Sequence, residues 1–249
     1  QAQELGFAEL DPTNDIKGFD ARYKLVILTY LITGHWLSPG QINLEGIDHL
    51  ELADFEYARR MGREIKLIAN LRLLEQGIQV YVLPVMIKKD EMLAKISGST
   101  NAITLSGKFS EDITLIGKGA GSLPTASAIV SDLNKVLRHP EPFPPPPITS
   151  KLLLESIENI RFRHTLRFEV RDHPGIFGHI GSIFERHSIN IYALEQLPQY
   201  HRIGKEGEEI VIFTLTIQDC MEGLVIKALK EINQAEYMLK PVVLLREIV

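Results

Sequence analysis

The sequence contains a single cysteine, Cys220, among its 249 residues. One thiol cannot form an intrachain disulfide, and it cannot supply the thiolate cluster of a zinc site. The cysteine content therefore excludes a disulfide-stapled domain. It also fits a reducing compartment, and we expect a cytoplasmic protein.

The sequence also has no surplus of basic residues and no long apolar run. The 27 Lys and Arg residues are outnumbered by 32 Asp and Glu residues, which leaves a net charge of −5. Such a chain has no excess of cations to displace the counterions of a phosphate backbone, so we expect no nucleic-acid partner. No apolar run approaches the roughly 20 residues that cross a bilayer, and the N-terminus lacks a signal-peptide pattern. We therefore expect a soluble protein without a membrane partner.

The proline distribution divides the chain. Six of the 13 prolines fall between Pro140 and Pro147, within a composition that is 45% hydrophobic and 24% charged. Proline lacks a backbone donor and favours extended backbone, so this run predicts a stiff connector; a polyproline ligand for an aromatic groove is the alternative. We predict two globular domains, residues 1–138 and 161–249, joined by a linker at 139–160.

The first predicted domain alternates helices and strands irregularly. Helical spacing of apolar residues covers 19–33 and 51–71, on faces formed by Ala21, Leu25, Leu28 and Ile32, and by Ala53, Tyr57, Met61 and Ile65. Strand patterns cover 79–86, 102–106 and 112–116, and a further amphipathic helix covers 125–137. This predicts an α/β or α+β domain with a mixed sheet. Residues 1–6 resemble the last turn of a helix, which indicates either an element that begins upstream or a frayed terminus.

The second predicted domain has a more regular pattern. Alternating apolar residues at 162–170 are followed by a turn at 172–175, a helical run at 176–184 and a second strand that starts at 189–191. A third strand at 211–217, a helix at 221–232 and a fourth strand at 242–245 complete the pattern. The order is βαββαβ, the ferredoxin-like motif.

Four ionisable residues lie close together near the N-terminus: Glu9, Asp15, Asp20 and Lys24. Asp20 and Lys24 are spaced i,i+4 and share one face of the helix predicted from residue 19. One interpretation is a helix N-terminus with a surface ion pair, which stabilises the fold by about 0.5 kcal/mol at most. The other is a site for a zwitterionic amino acid, in which carboxylates hold the ammonium and lysine exchanges a proton.

The segment from Gly6 to Lys24 resembles the homoserine dehydrogenase signature G-(Y/F)-x-E-x-D-P-x-x-D-x-x-G-x-D-x-x-x-K. The resemblance extends over nearly all of the first domain, through residues 45–47, 65–67, 101–102, 117–121, 124–128 and 132. It implies that Lys24 is the catalytic lysine, which exchanges a proton with the homoserine oxygen, and that Asp20 positions it. It implies that Glu9 and Asp15 contact the substrate. The family commonly has Tyr where this chain has Phe7.

The loop from Gly117 to Gly121 precedes the helix predicted at 125–137. A glycine cluster of this kind marks a tight turn as readily as an anion-binding loop, and it lacks the full dinucleotide fingerprint. The resemblance implies that Gly119 and Gly121 approach an NAD or NADP cofactor. The glycine fingerprint of a nucleotide-binding domain appears nowhere in the sequence, so we expect the isolated chain to be inactive.

In the second domain, residues 171–179 and 188–191 resemble the ACT domain, a small-molecule sensor of amino-acid biosynthetic enzymes. The resemblance implies an amino-acid effector, such as threonine, near Asp172, Gly175 and Asn190. The alternative is that Asp172 only caps a helix and Asn190 only forms a turn. His173 and His179 are predicted to be surface or capping residues, and we predict no metal site.

The two resemblances imply two alternative functions. The first is NAD(P)-dependent interconversion of aspartate 4-semialdehyde and homoserine in threonine and methionine biosynthesis, with this chain carrying the substrate-binding and regulatory parts. The alternative is an amino-acid-sensing dimerisation module without catalysis of its own. An unpaired sheet edge in the second domain and apolar strands in the first predict a homodimer or tetramer.

Overall fold

The computed structural model describes residues 11–139, 152–204 and 207–248. The helices are α1 Thr13–Ile16, α2 Phe19–Thr33, α3 Leu52–Arg60, α4 Met92–Lys95, α5 Ser122–Arg138, α6 Ile176–Arg186 and α7 Glu222–Ile232. The strands are β1 Asn43–Leu44, β2 Arg63–Leu74, β3 Gly77–Lys88, β4 Thr100–Leu105, β5 Ile113–Lys118, β6 Arg161–Arg171, β7 Ile191–Ile203, β8 Glu209–Met221 and β9 Val243–Ile248. Within these ranges no helix is long and apolar enough to span a membrane. The proline-rich run and Glu9 lie outside them.

One mixed sheet runs through both predicted domains. Six of its seven strands follow the order β1-β3-β9-β6-β8-β7, and the seventh, β2, pairs with β3 outside this order. The two halves meet where β3 and β9 run parallel, with Val85 opposite Arg246. The outer strand of the second domain is therefore covered by the first domain, and β7 lies at the opposite end of the sheet.

The second half has the predicted βαββαβ order, formed by β6, α6, β7, β8, α7 and β9. Antiparallel pairing places β6 between β8 and β9, and β7 beside β8. Its core lies between the sheet and the two helices, where Phe168 and Phe213 stack at 4.8 Å. The fold-class prediction is confirmed for this half, because alternation along four strands and two amphipathic helices allow few other arrangements.

Helix α2 has the predicted bounds but buries a different face. The buried residues of this helix are Leu25, Val26, Thr29 and Thr33, whereas Leu28 is half-buried and Ile32 is exposed. The helix is apolar on several sides, so residue spacing alone does not identify the buried face. The hydroxyl groups of the two buried threonines donate to the helix carbonyls of Leu25 and Thr29, which removes the penalty for burying them.

The prediction of a helix at 51–71 is correct for the first half of this range and wrong for the rest. Helix α3 ends at Arg60, and Gly62 adopts a left-handed φ of 69° before the chain turns into β2. Strand β2 then pairs with β3 along all of its 12 residues. The helical spacing of Met61 and Ile65 is accidental, because hydrogen bonding and packing against the next strand, β3, outweigh a weak local preference.

The hairpin β4–β5 and helix α5 match the predicted positions but bury little in one chain. Ile103 lies opposite Leu115, and Leu105 lies opposite Ile113, so these four side chains share one face of the hairpin. All four are exposed. The apolar side of α5 is exposed as well, including Ile129, Val130, Leu133 and Leu137.

Candidate active site and effector cavity

A tight turn brings the charged N-terminal segment onto the sheet. The side chain of Asp11 accepts hydrogen bonds from the amide and hydroxyl of Thr13, which lower the pKa of this carboxyl group. Gly18 joins α1 to α2 with a φ of 77°, and a Cβ there would lie 2.9 Å from a methyl group of Leu44. A larger residue would therefore push the start of α2 away from the sheet.

Of the four predicted catalytic and substrate residues, the structure brings Asp20 and Lys24 together. The Lys24 ammonium lies 2.6 Å from the Asp20 carboxylate, and the two side chains are 55% and 48% exposed. Asp15 is exposed on α1, and it makes no hydrogen bond or ion pair with either of them among the described residues. Glu9 lies outside those residues. Convergence of all four on one pocket stays a prediction.

The glycine loop after β5 is held against β4. The Gly119 amide donates to the Ser99 carbonyl at 2.9 Å, and a Cβ on Gly119 would lie 2.1 Å from the Asn101 side-chain nitrogen. Gly121 has a φ of 120° and directly precedes the 17-residue helix α5. The loop therefore depends on glycine at Gly121, whose φ strains other residues, whereas a Cβ on Gly119 would require the exposed Asn101 side chain to turn away. The first amide groups of a long helix follow the loop.

The residues predicted to bind an effector occupy two separate cavities in one chain. Asp172 and Gly175 line a cavity of about 360 Å³ at the start of α6. Asn190 lines another, of about 390 Å³, at the end of the same helix, and donates to Gln218 at 3.2 Å. A site containing both groups would need a second copy of the chain.

The histidines beside the first cavity have partners of their own. Nδ1 of His173 lies 2.8 Å from the Pro174 carbonyl oxygen, and Nδ1 of His179 lies 2.9 Å from the Tyr237 hydroxyl. Nearby, Asp172, His201 and Glu209 present ligand atoms within 4.8 Å of one another on the exposed side of β7–β8. All three are exposed, and exposed groups of this kind are common without an ion, so we assign no metal to them.

Two buried polar contacts join the halves of the chain, and no local sequence pattern predicts them. The Arg167 guanidinium donates to both carboxylate oxygens of Asp54, at 2.6 and 3.1 Å, and both side chains are buried. The Tyr57 hydroxyl lies 3.0 Å from that of Thr216, also buried. These pairs fix α3 against the second half of the sheet.

Burial raises the pKa of Cys220 to about 11, which disfavours the thiolate form of this side chain.

Comparison with known proteins decides the family. The family model described as homoserine dehydrogenase matches residues 1–133, more than half of the chain. The chain belongs to the homoserine dehydrogenase family. A second family model, that of the ACT domain, matches residues 164–234.

Relatives in this family align with nearly the whole chain. Homoserine dehydrogenases from Neisseria gonorrhoeae and Pseudomonas aeruginosa are 32% and 33% identical to it, each over 99% of the chain, and it covers 57% and 58% of them. A solved homoserine dehydrogenase from Thiobacillus denitrificans superposes with a TM-score of 0.82 at 32% identity, over 99% of this chain and 56% of that one. The chain thus spans just over half the length of the homoserine dehydrogenases it matches.

Proposed function

We propose that this chain carries the substrate-binding and regulatory parts of an enzyme that interconverts L-aspartate 4-semialdehyde and L-homoserine. The observation that supports the proposal is the 2.6 Å pair of Asp20 and Lys24 at the start of α2, inside a segment with the family spacing. The complete reaction belongs to a longer protein that includes a nicotinamide-binding region. We propose that the isolated chain does not turn over substrate.

In segment 6–24, different side chains bind the substrate and transfer the proton. Lys24 donates a proton to the aldehyde oxygen as the alcohol forms and accepts it in the reverse direction. Asp20 holds the ammonium of Lys24 in place, since their pair fixes one end of a flexible side chain. Glu9 and Asp15 bind the ammonium of the substrate through charge-assisted hydrogen bonds. When bound, NAD or NADP supplies or takes up the hydride.

The longer protein provides the direct test of this function. Incubation with L-homoserine and NAD⁺ or NADP⁺ is expected to produce reduced nicotinamide, followed by absorbance. L-Serine, which has one methylene fewer, serves as the matched substrate and should react far more slowly. A protein that oxidises neither compound with either nucleotide would contradict the proposal. One relative, from Pseudomonas canavaninivorans, is named NAD(+)-dependent, and the assay compares both nucleotides.

The glycine loop fits a nicotinamide cofactor, because Gly119 leaves its backbone open to close approach and Gly121, with a φ of 120°, sets the turn into α5. We predict that Gly121→Ala in the longer protein raises the KM for the nucleotide by about tenfold or more, since alanine is strained at a φ of 120° and a misplaced loop loses its hydrogen bonds to the cofactor. Gly117→Ala is the matched control, because nothing lies within 4 Å of a Cβ at that position. Equal nucleotide KM values for the two variants would remove this loop from the cofactor site.

An amino-acid effector is proposed for the second half of the chain. The cavity of about 360 Å³ beside Asp172 and Gly175 has room for a small amino acid, and the amide groups at the start of α6 suit its carboxylate. Asn190 contributes from a second copy, because the two cavities are at opposite ends of α6. Threonine, an end product of the proposed pathway, is the effector we expect.

Assembly into at least a dimer is proposed to occur through the exposed apolar face of β4–β5. We predict that Leu115→Glu converts the chain to a monomer, because a carboxylate in the centre of that face cannot be buried against a second copy. Ile116→Glu is the matched control: the two residues are 58% and 52% exposed but lie on opposite faces of the hairpin. Sedimentation at micromolar concentration distinguishes the states. An unmodified chain that sediments near 28.1 kDa would contradict the prediction and the shared effector site.

A further inference from the structure

A buried cluster of charges lies where the second half of the sheet meets the first. The Arg246 guanidinium, on β9, donates to Glu222 at 2.7 and 2.9 Å, and Glu222 also lies 2.7 Å from Nε2 of His164. Burial by itself raises the pKa of Glu222, but the hydrogen bond from His164 and the charge of Arg246 outweigh it and lower this pKa. Glu222 and Arg246 therefore form an ion pair at neutral pH.

The same guanidinium reaches across the junction into the first half. Nη2 of Arg246 lies 2.8 Å from the Glu45 carboxylate, whose other oxygen lies 3.2 Å from His49. Backbone pairing between β3 and β9 is confined to one residue pair, Val85 and Arg246. Side-chain contacts therefore hold much of this junction, and Arg246 bonds both of its sides.

Glu45 begins a short loop that supports the proposed substrate segment. The amide of Ile47 donates to the carbonyl of Ile16 at 2.8 Å. Gly46 packs so closely that a Cβ there would lie 2.5 Å from the same carbonyl oxygen. Ile16 follows Asp15 directly and precedes Asp20 by four residues, so loop 45–47 fixes the backbone between these two carboxylates.

We propose that Arg246 is a positioning residue of the substrate site: through Glu45 it holds loop 45–47, and through that loop it holds the backbone that carries Asp15 and Asp20. The ACT half thereby contributes to substrate affinity without touching the substrate. For its kinetic consequence this inference rests on the proposed function. Its structural part does not, because the contacts exist in the chain itself.

Hydrogen–deuterium exchange on the 249-residue chain tests the structural part. Glu45→Ala should accelerate exchange of the Ile47 amide and of peptides within 11–24 by about fivefold or more. This is the size of effect expected from the loss of one hydrogen bond to a charged group. Arg246→Lys should act on the same peptides, since one ammonium retained by buried Glu222 cannot also hold Glu45. Unchanged exchange in these peptides for both variants would overturn the proposal.

Glu247→Ala is the matched control. Glu247 is also on β9 and pairs with Arg63 of the first half at 3.3 Å, but among the described residues it forms no ion pair or side-chain hydrogen bond with loop 45–47. Exchange of peptides within 11–24 should stay within about twofold of the unmodified chain. An equal acceleration in this variant would mean that any weakening of the junction loosens the segment, and the specific role of Arg246 would be lost.

Kinetics of the longer protein test the consequence for the site. Glu45→Ala should raise the KM for homoserine by about fivefold while kcat falls less, because the backbone next to Asp15 is released and Lys24 keeps its partner Asp20. A kcat loss with unchanged KM would overturn the positioning role. If the unmodified protein oxidises no homoserine, the proposed function fails, whereas the exchange experiment still decides whether Arg246 holds the segment.

Discussion

Replacing Lys24 with alanine in the longer protein is expected to lower kcat by about 10²–10⁴-fold, with a smaller change in the KM for homoserine. The proton on the alcohol oxygen has to leave as hydride is removed from the carbon that bears this oxygen. Lys24, which lies 2.6 Å from Asp20, is proposed to accept this proton in its neutral amine form. The carboxylates that bind the substrate ammonium remain, so ground-state binding changes less than the barrier. Steady-state kinetics of homoserine oxidation measure both quantities.

Lys17→Ala is the control for this substitution. Lys17 belongs to the same segment and forms an equally short surface pair, 2.6 Å from Asp48, with similar exposure. Loss of that pair should leave kcat within about twofold, since an exposed ion pair contributes about 1 kcal/mol or less to stability. If Lys17→Ala lowers kcat as much as Lys24→Ala, the effect reflects damage to the segment. If Lys24→Ala leaves kcat unchanged, another group transfers the proton.

Substitution of Asp54 by asparagine is expected to lower the free energy of unfolding by about 3–5 kcal/mol, as for removal of one partner from a buried ion pair. Asp54 and Arg167 are only 1% and 3% exposed, and Arg167 would keep its charge without the bidentate carboxylate. The pair joins α3 to β6, so its loss weakens the contact between the two halves. Urea unfolding of the chain measures the change.

Glu51→Gln provides the matched comparison. Glu51 also faces Arg167, at 3.6 Å, but its side chain is 42% exposed. Neutralising it should change the free energy of unfolding by about 1 kcal/mol or less. Similar losses in both variants would mean that the interior around Arg167 is solvated in solution, and the buried pair would not be the contact that holds the halves together.

Local sequence patterns were sufficient for several elements of this fold. Alternation along β6 and β8 and the amphipathic spacing of α6 and α7 predicted the βαββαβ half, because each element buries one face against the same core. The bounds of α2 were predicted as well, since its first residue follows a glycine turn. For the candidate site, the i,i+4 spacing of Asp20 and Lys24 predicted their contact, which depends only on helix geometry.

Sequence by itself therefore determined most of the local elements, the signature segment and the pairing of Asp20 with Lys24. Tertiary structure alone decided that residues 63–74 form a strand, that the apolar face of α5 stays exposed in one chain, and that one sheet joins both halves. It also decided that Arg246 meets Glu45 and that Arg167 meets Asp54. The two residues of each pair are far apart along the chain, and no periodic pattern relates their positions. Only long-range packing brings them together, and local periodicity does not encode it.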